Sequence, residues 1–571
     1  MKIGILDGYV DEPTCLGVPP YISPYVRYIA GAVLQVDPKN HLVYYTIDQV
    51  RSNHSLISVL DSVDVVVVNA GISVPGKYLS GMPASPPELY RVLSSLQKPV
   101  KVLTGPAAQY GFGTTGGHKT KDVRELGEIF DLIVTGDGEL GVYDLLVNYF
   151  KRDSVDPSRC RQNPHDIYQF SVKGAEIVRK HPFFPEYLIA EIETYRGCSR
   201  SITGGCSFCS EPRKGSPQFR PIQDIIDEVS ALYGQGIRHI RLGNQPCLFS
   251  YMAHDAGRLE FPKPNPDALE KLFAGIRMQA PGLETVHIDN ANPAVLATYP
   301  YECRLIAKTI IKYHSSGDVA AFGVESVDPV VIKYNNLKAS AEDVLVAIRL
   351  LNEVGAARGT NGLPELLPGL NFVGGLIGET KKTYELNYDF LQRIVEEGLL
   401  LRRINIRQVI PITGTRIYSE VGDRLIRRHR EEFQRFKHRV RSTIDRQLLQ
   451  KLVPPGTVLS KVFTELHEGK VTFARQLGSY PLLVGIPGIF PLHHFFDVKI
   501  VDYGYRSVTA IPFPLDVNTA PRETLEAVPG LGRKRVIRLL RQRPFSSKEH
   551  LIDAFDDQMV GRDFIVFITE K

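Results

Sequence analysis

The stretch Tyr195-Arg-Gly-Cys198-Ser-Arg-Ser-Ile-Thr-Gly-Gly-Cys206-Ser-Phe-Cys209 places three of the chain's seven cysteines within a dozen residues, in the order C-x7-C-x2-C. Glycines between and beside them permit the positive φ angles that a tight wrap demands. Three clustered thiolates suit a soft metal centre that keeps one coordination position open. A closed zinc site wants a fourth ligand, and no cysteine or histidine follows closely on Cys209. The cysteine spacing outweighs the plain alternative of a cysteine-rich loop, so Cys198, Cys206 and Cys209 are read as ligands of an iron–sulfur cluster.

The rest of the composition fits that reading. A chain of 571 residues should hold three or more domains, at roughly 150 residues each. Its 43% hydrophobic and 23% charged content is that of a globular protein. No run approaches the roughly 20 apolar residues that span a membrane. Met1-Lys-Ile-Gly-Ile-Leu-Asp runs directly into a strand pattern and lacks a signal-peptide layout, so a cytoplasmic location is expected. Cysteines there stay reduced, which favours metal binding over disulfides. Cys15, Cys160, Cys247 and Cys303 are scattered singly and read as small buried hydrophobes. The net charge of +5 is modest, and its basic residues concentrate towards the C-terminal third.

The fold class expected is α/β. Residues 1–150 carry short β-branched runs, Lys2–Leu6, Val65–Asn69, Val100–Thr104 and Leu132–Thr135, each followed within two residues by Gly, Asp or Pro. Buried runs separated by helical segments predict a doubly wound parallel sheet, whose ligands bind at the carboxyl ends of its strands. Asp7-Gly8, Asn69-Ala-Gly71, Gly105-Pro106 and Gly136–Glu139 fall there. Residues 151–185, with four prolines and several charges, read as a linker. Six further strand–loop–helix units follow over 186–420, with strands at Leu188–Thr194, His239–Gly243, Thr285–Asp289, Val319–Glu325, Leu370–Val373 and Ile404–Ile410. Six units make an open (β/α)6 barrel with functional groups at the carboxyl ends of the strands.

Cys206-Ser-Phe208-Cys209 resembles the second half of the radical SAM signature C-x3-C-x-Φ-C, with seven residues in the first gap where the family pattern has three. Gly323-Val-Glu325-Ser326, followed by Ile-Lys-Tyr-Asn, resembles the family's fourth-strand motif, and Leu370–Thr380, with Gly375, its fifth-strand motif. Where the family often has Gly-Gly-Glu after the second strand, this chain has Gly243-Asn244-Gln245, a neutral amide in place of the carboxylate. The resemblance implies a [4Fe-4S] cluster and S-adenosyl-L-methionine (SAM). It implies a 5′-deoxyadenosyl radical that takes hydrogen from an unactivated C–H bond, and an electron donor such as ferredoxin or flavodoxin. It also implies that Gly243, Asn244, Gln245, Asn292, Glu325, Ser326, Gly375 and Arg407 contact SAM or substrate. Residues 1–150 are similar to the N-terminal domain of the cobalamin-binding and methylthiotransferase subfamilies. The Asp-x-His-x-x-Gly cobalt-ligand pattern and the three cysteines of a second cluster are both absent. Cobalamin binds some such domains without a histidine ligand, so it stays an open cofactor.

The C-terminal third adds three segments. Residues 421–453 predict a basic helix, with Phe433, Phe436, Val440, Ile444, Leu448 and Leu452 on one face and arginines on the other. Residues 454–513 predict a small β-barrel that resembles the TRAM domain with which methylthiotransferases hold tRNA. Leu515–Val536, with Pro529-Gly530-Leu531-Gly532 at its centre, resembles a helix-hairpin-helix motif within residues 514–571. Backbone N–H groups at Gly530 and Gly532 can approach a phosphate, and Arg533, Lys534, Arg535 and Arg538 supply charge without reading sequence. The function expected is a radical SAM enzyme acting on RNA, tRNA first, by methylthiolation, methylation or another C–H functionalisation. The alternative is a cobalamin-dependent radical SAM methylase for a protein, lipid or small molecule, with the basic tail docking a partner. The long first gap of the cysteine motif is expected to reach over the barrel mouth.

Overall fold

Val65 to Val68 are wholly buried, which is what a strand covered on both faces requires. In the computed structural model, which describes residues 1–12, 15–72, 81–113, 116–123, 128–421, 424–547 and 550–551, this strand is the centre of a parallel five-stranded sheet. Its order is His41–Thr46, Lys2–Asp7, Val65–Asn69, Val100–Thr104 and Leu132–Ile133. The first and third strands in chain order lie next to each other, so the topological switch point falls between Asp7 and Asn69.

Residues 151–185, expected as a linker, are packed against this domain. The helix Pro24–Val36 carries the segment Tyr168–Lys173 and the 3-10 turns Gly174–Lys180 on its flank. Gly31 and Gly174 permit the contact: a Cβ on either would lie 1.9 or 1.8 Å from a backbone oxygen of the other element. Proline and charge composition alone does not separate a solvated crossing from a covered one.

The six barrel strands are Ile189–Glu193, His239–Gly243, Thr285–Ile288 continued by Asn290–Ala291, Asp318–Glu325, Leu366–Gly374 and Arg403–Gln408, every neighbouring pair parallel. Helices such as Ile222–Gln235, Pro266–Gln279 and Ala341–Gly355 cover the outside with their apolar faces. Tyr21–Ile22, from the N-terminal domain, pairs in parallel with Ile189–Ala190 and extends the barrel sheet by one short strand. One buried ion pair ties the same domain to the barrel, and a second within the barrel shares its carboxylate. Arg27 of the first helix meets Glu228 of a barrel helix, and Arg220 binds the other oxygen of that carboxylate at 2.6 Å.

The basic segment is four pieces rather than one helix: Arg424–Arg428, Arg430–Arg439, a π-helical turn Val440–Asp445 and Arg446–Leu452. Its predicted apolar stripe, Phe433 to Leu452, is buried, while Arg439 and Arg441 pair with Glu385 and Asp445. In-chain partners thus take up part of the basic face. Residues 458–512 close into a barrel of five strands, Val458–Glu468, Val471–Gln476, Leu483–Pro487, Phe495–Tyr503 and Ser507–Pro512; the last was not foreseen from sequence. Arg522–Glu526 and Arg533–Gln542 form two helices about a turn at Gly530, where φ is +81°. The remainder of the expected C-terminal domain, 552–571, lies outside the described residues. Among the described residues no helix is long and apolar enough to cross a membrane.

Candidate functional site

The cysteine loop leaves the first barrel strand and is closed at its base by a two-stranded clamp, Tyr195 opposite Phe219 and Arg196 opposite Gln218. Gly197 turns the chain at φ +83°, where a side chain would strike the Ser216 carbonyl. Asn335 anchors the loop from beneath: its Oδ1 accepts from the Ser207 hydroxyl at 2.7 Å and from the Ile377 N–H at 3.1 Å. Its Nδ2 donates to the Ile377 carbonyl at 2.7 Å. One buried amide therefore joins the cysteine loop, the helix after the fourth strand and the glycine turn after the fifth.

Cys198, Cys206 and Cys209 line one cavity of about 70 Å³, with Asn292, Cys247 and Lys338 on its far walls. Among the described residues no three Cys, His, Asp or Glu side chains converge tightly enough to share one metal ion. A cubane cluster makes a different demand, one thiolate at each of three separate irons with the fourth iron open, and three thiols spread around one cavity meet it. Burial pushes the Cys198 thiol up to about 11 and raises Cys209 further, so assembly must displace protons from both.

A larger cavity of about 220 Å³ continues from Cys206 and Cys209 down the barrel. Its lining includes Glu325, Lys338 and Arg407. Glu325 sits at φ +65° beside a register shift between Gly323 and Glu325, a bulge that re-aims the side chain at the strand end. Burial pushes its carboxyl up to about 7 against the opposing pull of Lys338 and Arg407. At Gly323 a Cβ would lie 2.4 Å from the Lys338 Nζ and 2.5 Å from the Glu325 Oε1, so a side chain there would displace both groups.

The C-terminal barrel contributes Tyr480 to the same cavity. Its loop Gly478–Tyr480 wedges under the third barrel strand, with the Ser479 N–H donating to His287 Nδ1 at 2.8 Å. The Tyr480 hydroxyl donates to Asp289 at 2.7 Å, and the Arg403 guanidinium lies 3.5 Å over the Tyr480 ring. Arg241 pairs with Asp289 and stands 3.4 Å from Glu191. The N-terminal domain contributes Asp11, whose Oδ2 is buried without a hydrogen-bond partner and whose carboxyl burial pushes up to about 6 against Arg407 and Arg241. All three bodies of the chain thus line one cavity.

The expected ligand residues divide. Glu325 and Arg407 line the large cavity and Asn292 the small one. Asn292 also caps the helix Pro293–Thr298 by accepting from the Ala294 N–H. The other five line neither cavity; most of their polar atoms are engaged within the chain, the exception being the Gln245 Oε1, buried without a hydrogen-bond partner. Asn244 donates to Glu193 at 3.1 Å and Gln245 to the Leu242 carbonyl at 3.1 Å. Gly243 makes room for the Glu191 carboxylate, the Ser326 hydroxyl accepts from the Asp328 N–H, and the Gly375 N–H donates to Glu379 at 2.8 Å. Asp11, Arg241, Lys338, Arg403 and Tyr480 were missed, although Arg241 lies two residues before Gly243-Asn244-Gln245, Lys338 three past Asn335 and Arg403 directly before the expected sixth strand. In the C-terminal hairpin Gly530, Gly532, Arg533, Lys534, Arg535 and Arg538 are all exposed.

Parts of the chain are similar to known proteins. The family model described as "Radical SAM superfamily" matches residues 192–391. An uncharacterised protein of Methanocaldococcus jannaschii is 47% identical over 89% of this chain and 93% of its own. The ribosomal protein uS12 methylthiotransferase RimO of Symbiobacterium thermophilum is 26% identical over 33% of this chain and 34% of its own. Among solved structures, the radical S-adenosylmethionine methyltransferase TsrM of Kitasatospora setae is 15% identical, covering 69% of this chain and 71% of its own, at a TM-score of 0.45.

Proposed function

The chain belongs to the radical SAM superfamily, and from that premise we propose that it functionalises a C–H bond in RNA, tRNA first, held by its C-terminal body. As a radical SAM enzyme it uses a [4Fe-4S] cluster and SAM; when bound, the cluster supplies the electron that splits SAM into methionine and the 5′-deoxyadenosyl radical. Cys198, Cys206 and Cys209 hold the cluster. Asn292, Lys338 and Glu325 stand where the cysteine cavity opens on the barrel and are the groups to orient SAM. Arg241, Arg403 and Tyr480 close the far end, excluding water from the site of hydrogen transfer. The electron comes from a low-potential carrier such as ferredoxin or flavodoxin.

One observation supports the RNA reading above others: the barrel that puts Tyr480 into the cavity also carries the basic hairpin. Thr524 of the hairpin's first helix donates to the Pro487 carbonyl at a barrel strand end, and Lys470 pairs with Glu523 at 2.7 Å. A polyanion held at Arg533–Arg535 would then be fixed relative to the cavity. The three N-terminal cysteines of a second cluster are absent, which favours methylation or another functionalisation over two-cluster methylthiolation. The test compares modified nucleosides in tRNA from cells with and without the gene; loss of one nucleoside is expected, and an unchanged profile defeats the reading.

The cobalamin alternative has one specific support. The carboxyl edge of the N-terminal sheet, at Gly105 and Gly136–Glu139, opens with Arg161, Arg196 and Lys214 on a polar cavity of about 360 Å³. Cobalamin absorption in anaerobically purified protein would favour that reading; its absence after loading with hydroxocobalamin would remove it.

A further inference from the structure

Seven residues separate Cys198 from Cys206. They form a short 3-10 turn, Ser199–Thr203, that carries Arg200 inward until it is 4% exposed. There its guanidinium is used at all three nitrogens. Nη1 donates to the Cys206 Sγ at 3.0 Å, Nε to Glu260 at 2.8 Å and Nη2 to the Asn336 Oδ1 at 3.1 Å. Asn336 in turn donates to the Thr203 and Gly205 carbonyls, each at 3.0 Å, and the Thr203 hydroxyl donates to Glu260 at 3.1 Å. The loop is therefore built to hold one cation against one ligating sulfur. A three-residue gap has no room for that turn.

We propose that Arg200 is a positioning residue that sets the reduction potential of the cluster through the Cys206 sulfur, with Glu260 as its counterweight. One-electron reduction adds one negative charge to the cluster, the electron coming from an external low-potential donor. A fixed buried cation hydrogen-bonded to a ligating sulfur stabilises the reduced state more than the oxidised one and raises the potential. Guanidinium stays charged throughout, so no proton accompanies the electron at this residue. Glu260 offsets part of that charge and holds the fork in place. This role goes beyond the choice of substrate and is independent of it.

The experiment is a dithionite titration of the reconstituted full-length protein, monitored by electron paramagnetic resonance, with iron and sulfide counted per chain. Arg200→Gln is expected to lower the potential and Glu260→Gln to raise it, both at full iron content. Opposite signs support the electrostatic role, because a purely structural loop gives no reason for them. Unchanged potentials, or shifts of the same sign, overturn the proposal. If Arg200→Gln fails to retain iron, Glu260→Gln decides alone: a raised potential supports the role, and an unchanged or lowered one overturns it.

Discussion

Asp7 ends the first N-terminal strand at the topological switch point and is 1% exposed. It accepts from the Tyr9 N–H at 2.9 Å and the Tyr44 hydroxyl at 2.9 Å, yet burial outweighs both and pushes its carboxyl up to about 7. The folded state therefore binds more protons than the unfolded one between about pH 4 and pH 7, and stability falls as pH rises through that window. Ionising Asp7 above pH 7 costs up to about 4 kcal/mol by linkage. Asp7→Asn should raise the melting temperature at pH 8, with the gain shrinking by more than half at pH 5; an equal gain at both values would contradict the shift. Asn335 illustrates the opposite case, a buried polar group whose amide is fully used. Asn335→Leu removes those bonds and strands the Ile377 N–H, an expected loss of about 2–4 kcal/mol. Iron retention should fall with it, as measured by iron per chain after reconstitution. The cysteines stood out in the sequence by their short-range spacing and Glu325 by its resemblance to a family motif, and each lines a cavity. Asp11 did not stand out, because nothing local distinguishes an acid that a fold turns into a cavity over 200 residues away in the chain.

Two short elements of the C-terminal body do different work. The Gly478–Tyr480 loop is a wedge: Tyr480→Ala deletes an aromatic ring, the Asp289 hydrogen bond and the Arg403 stack together. A destabilisation of about 3–5 kcal/mol is expected, together with a rise in 5′-deoxyadenosine formed without substrate, since the cavity end is opened to water. Unchanged abortive cleavage would show that the wedge does not seal the cavity. On the proposed reading the C-terminal helical hairpin acts through charge, with Arg533, Lys534 and Arg535 exposed at the start of its second helix. Charge reversal of Lys534 and Arg535 should weaken tRNA retention and flatten its dependence on salt. Full retention in a filter-binding series from low to high salt would leave the hairpin as a protein-docking unit. Strand periodicity made the small barrel visible in outline, and a motif resemblance the hairpin. The wedge function was hidden, because a tyrosine in a loop reads the same whether it meets solvent or a distant barrel.

At the scale of the molecule, the order of the bodies along the chain was legible and their mutual packing was not. Each strand pattern reports its own periodicity; the surfaces between bodies are carried by pairs such as Tyr21 with Gly478 and Arg27 with Glu228, separated by 457 and 201 residues. Those pairs decide whether the N-terminal domain is a mobile appendage or part of the catalytic unit. Glu228 is the test, since one fully buried carboxylate serves two fully buried guanidinium groups, Arg27 and Arg220. Arg27 also donates to the Glu191 carbonyl in the first barrel strand, and Arg220 to the Glu193 carbonyl at 2.8 Å. Removing one partner of a buried ion pair costs about 3–5 kcal/mol, because the opposite charge is left uncompensated. Glu228→Gln strands two such charges at the junction, so its effect should sit at the upper end of that range or above it. Calorimetry of the wild-type protein should show the N-terminal domain and barrel unfolding in one transition, with Glu228→Gln splitting off a lower-temperature step. A double variant, Glu228→Leu with Arg27→Met, removes the Arg27 pair as a unit and should recover part of the loss. Two separate transitions already present in the wild type would show instead that the domain is hinged, and that Asp11 reaches the cavity only in some of its positions.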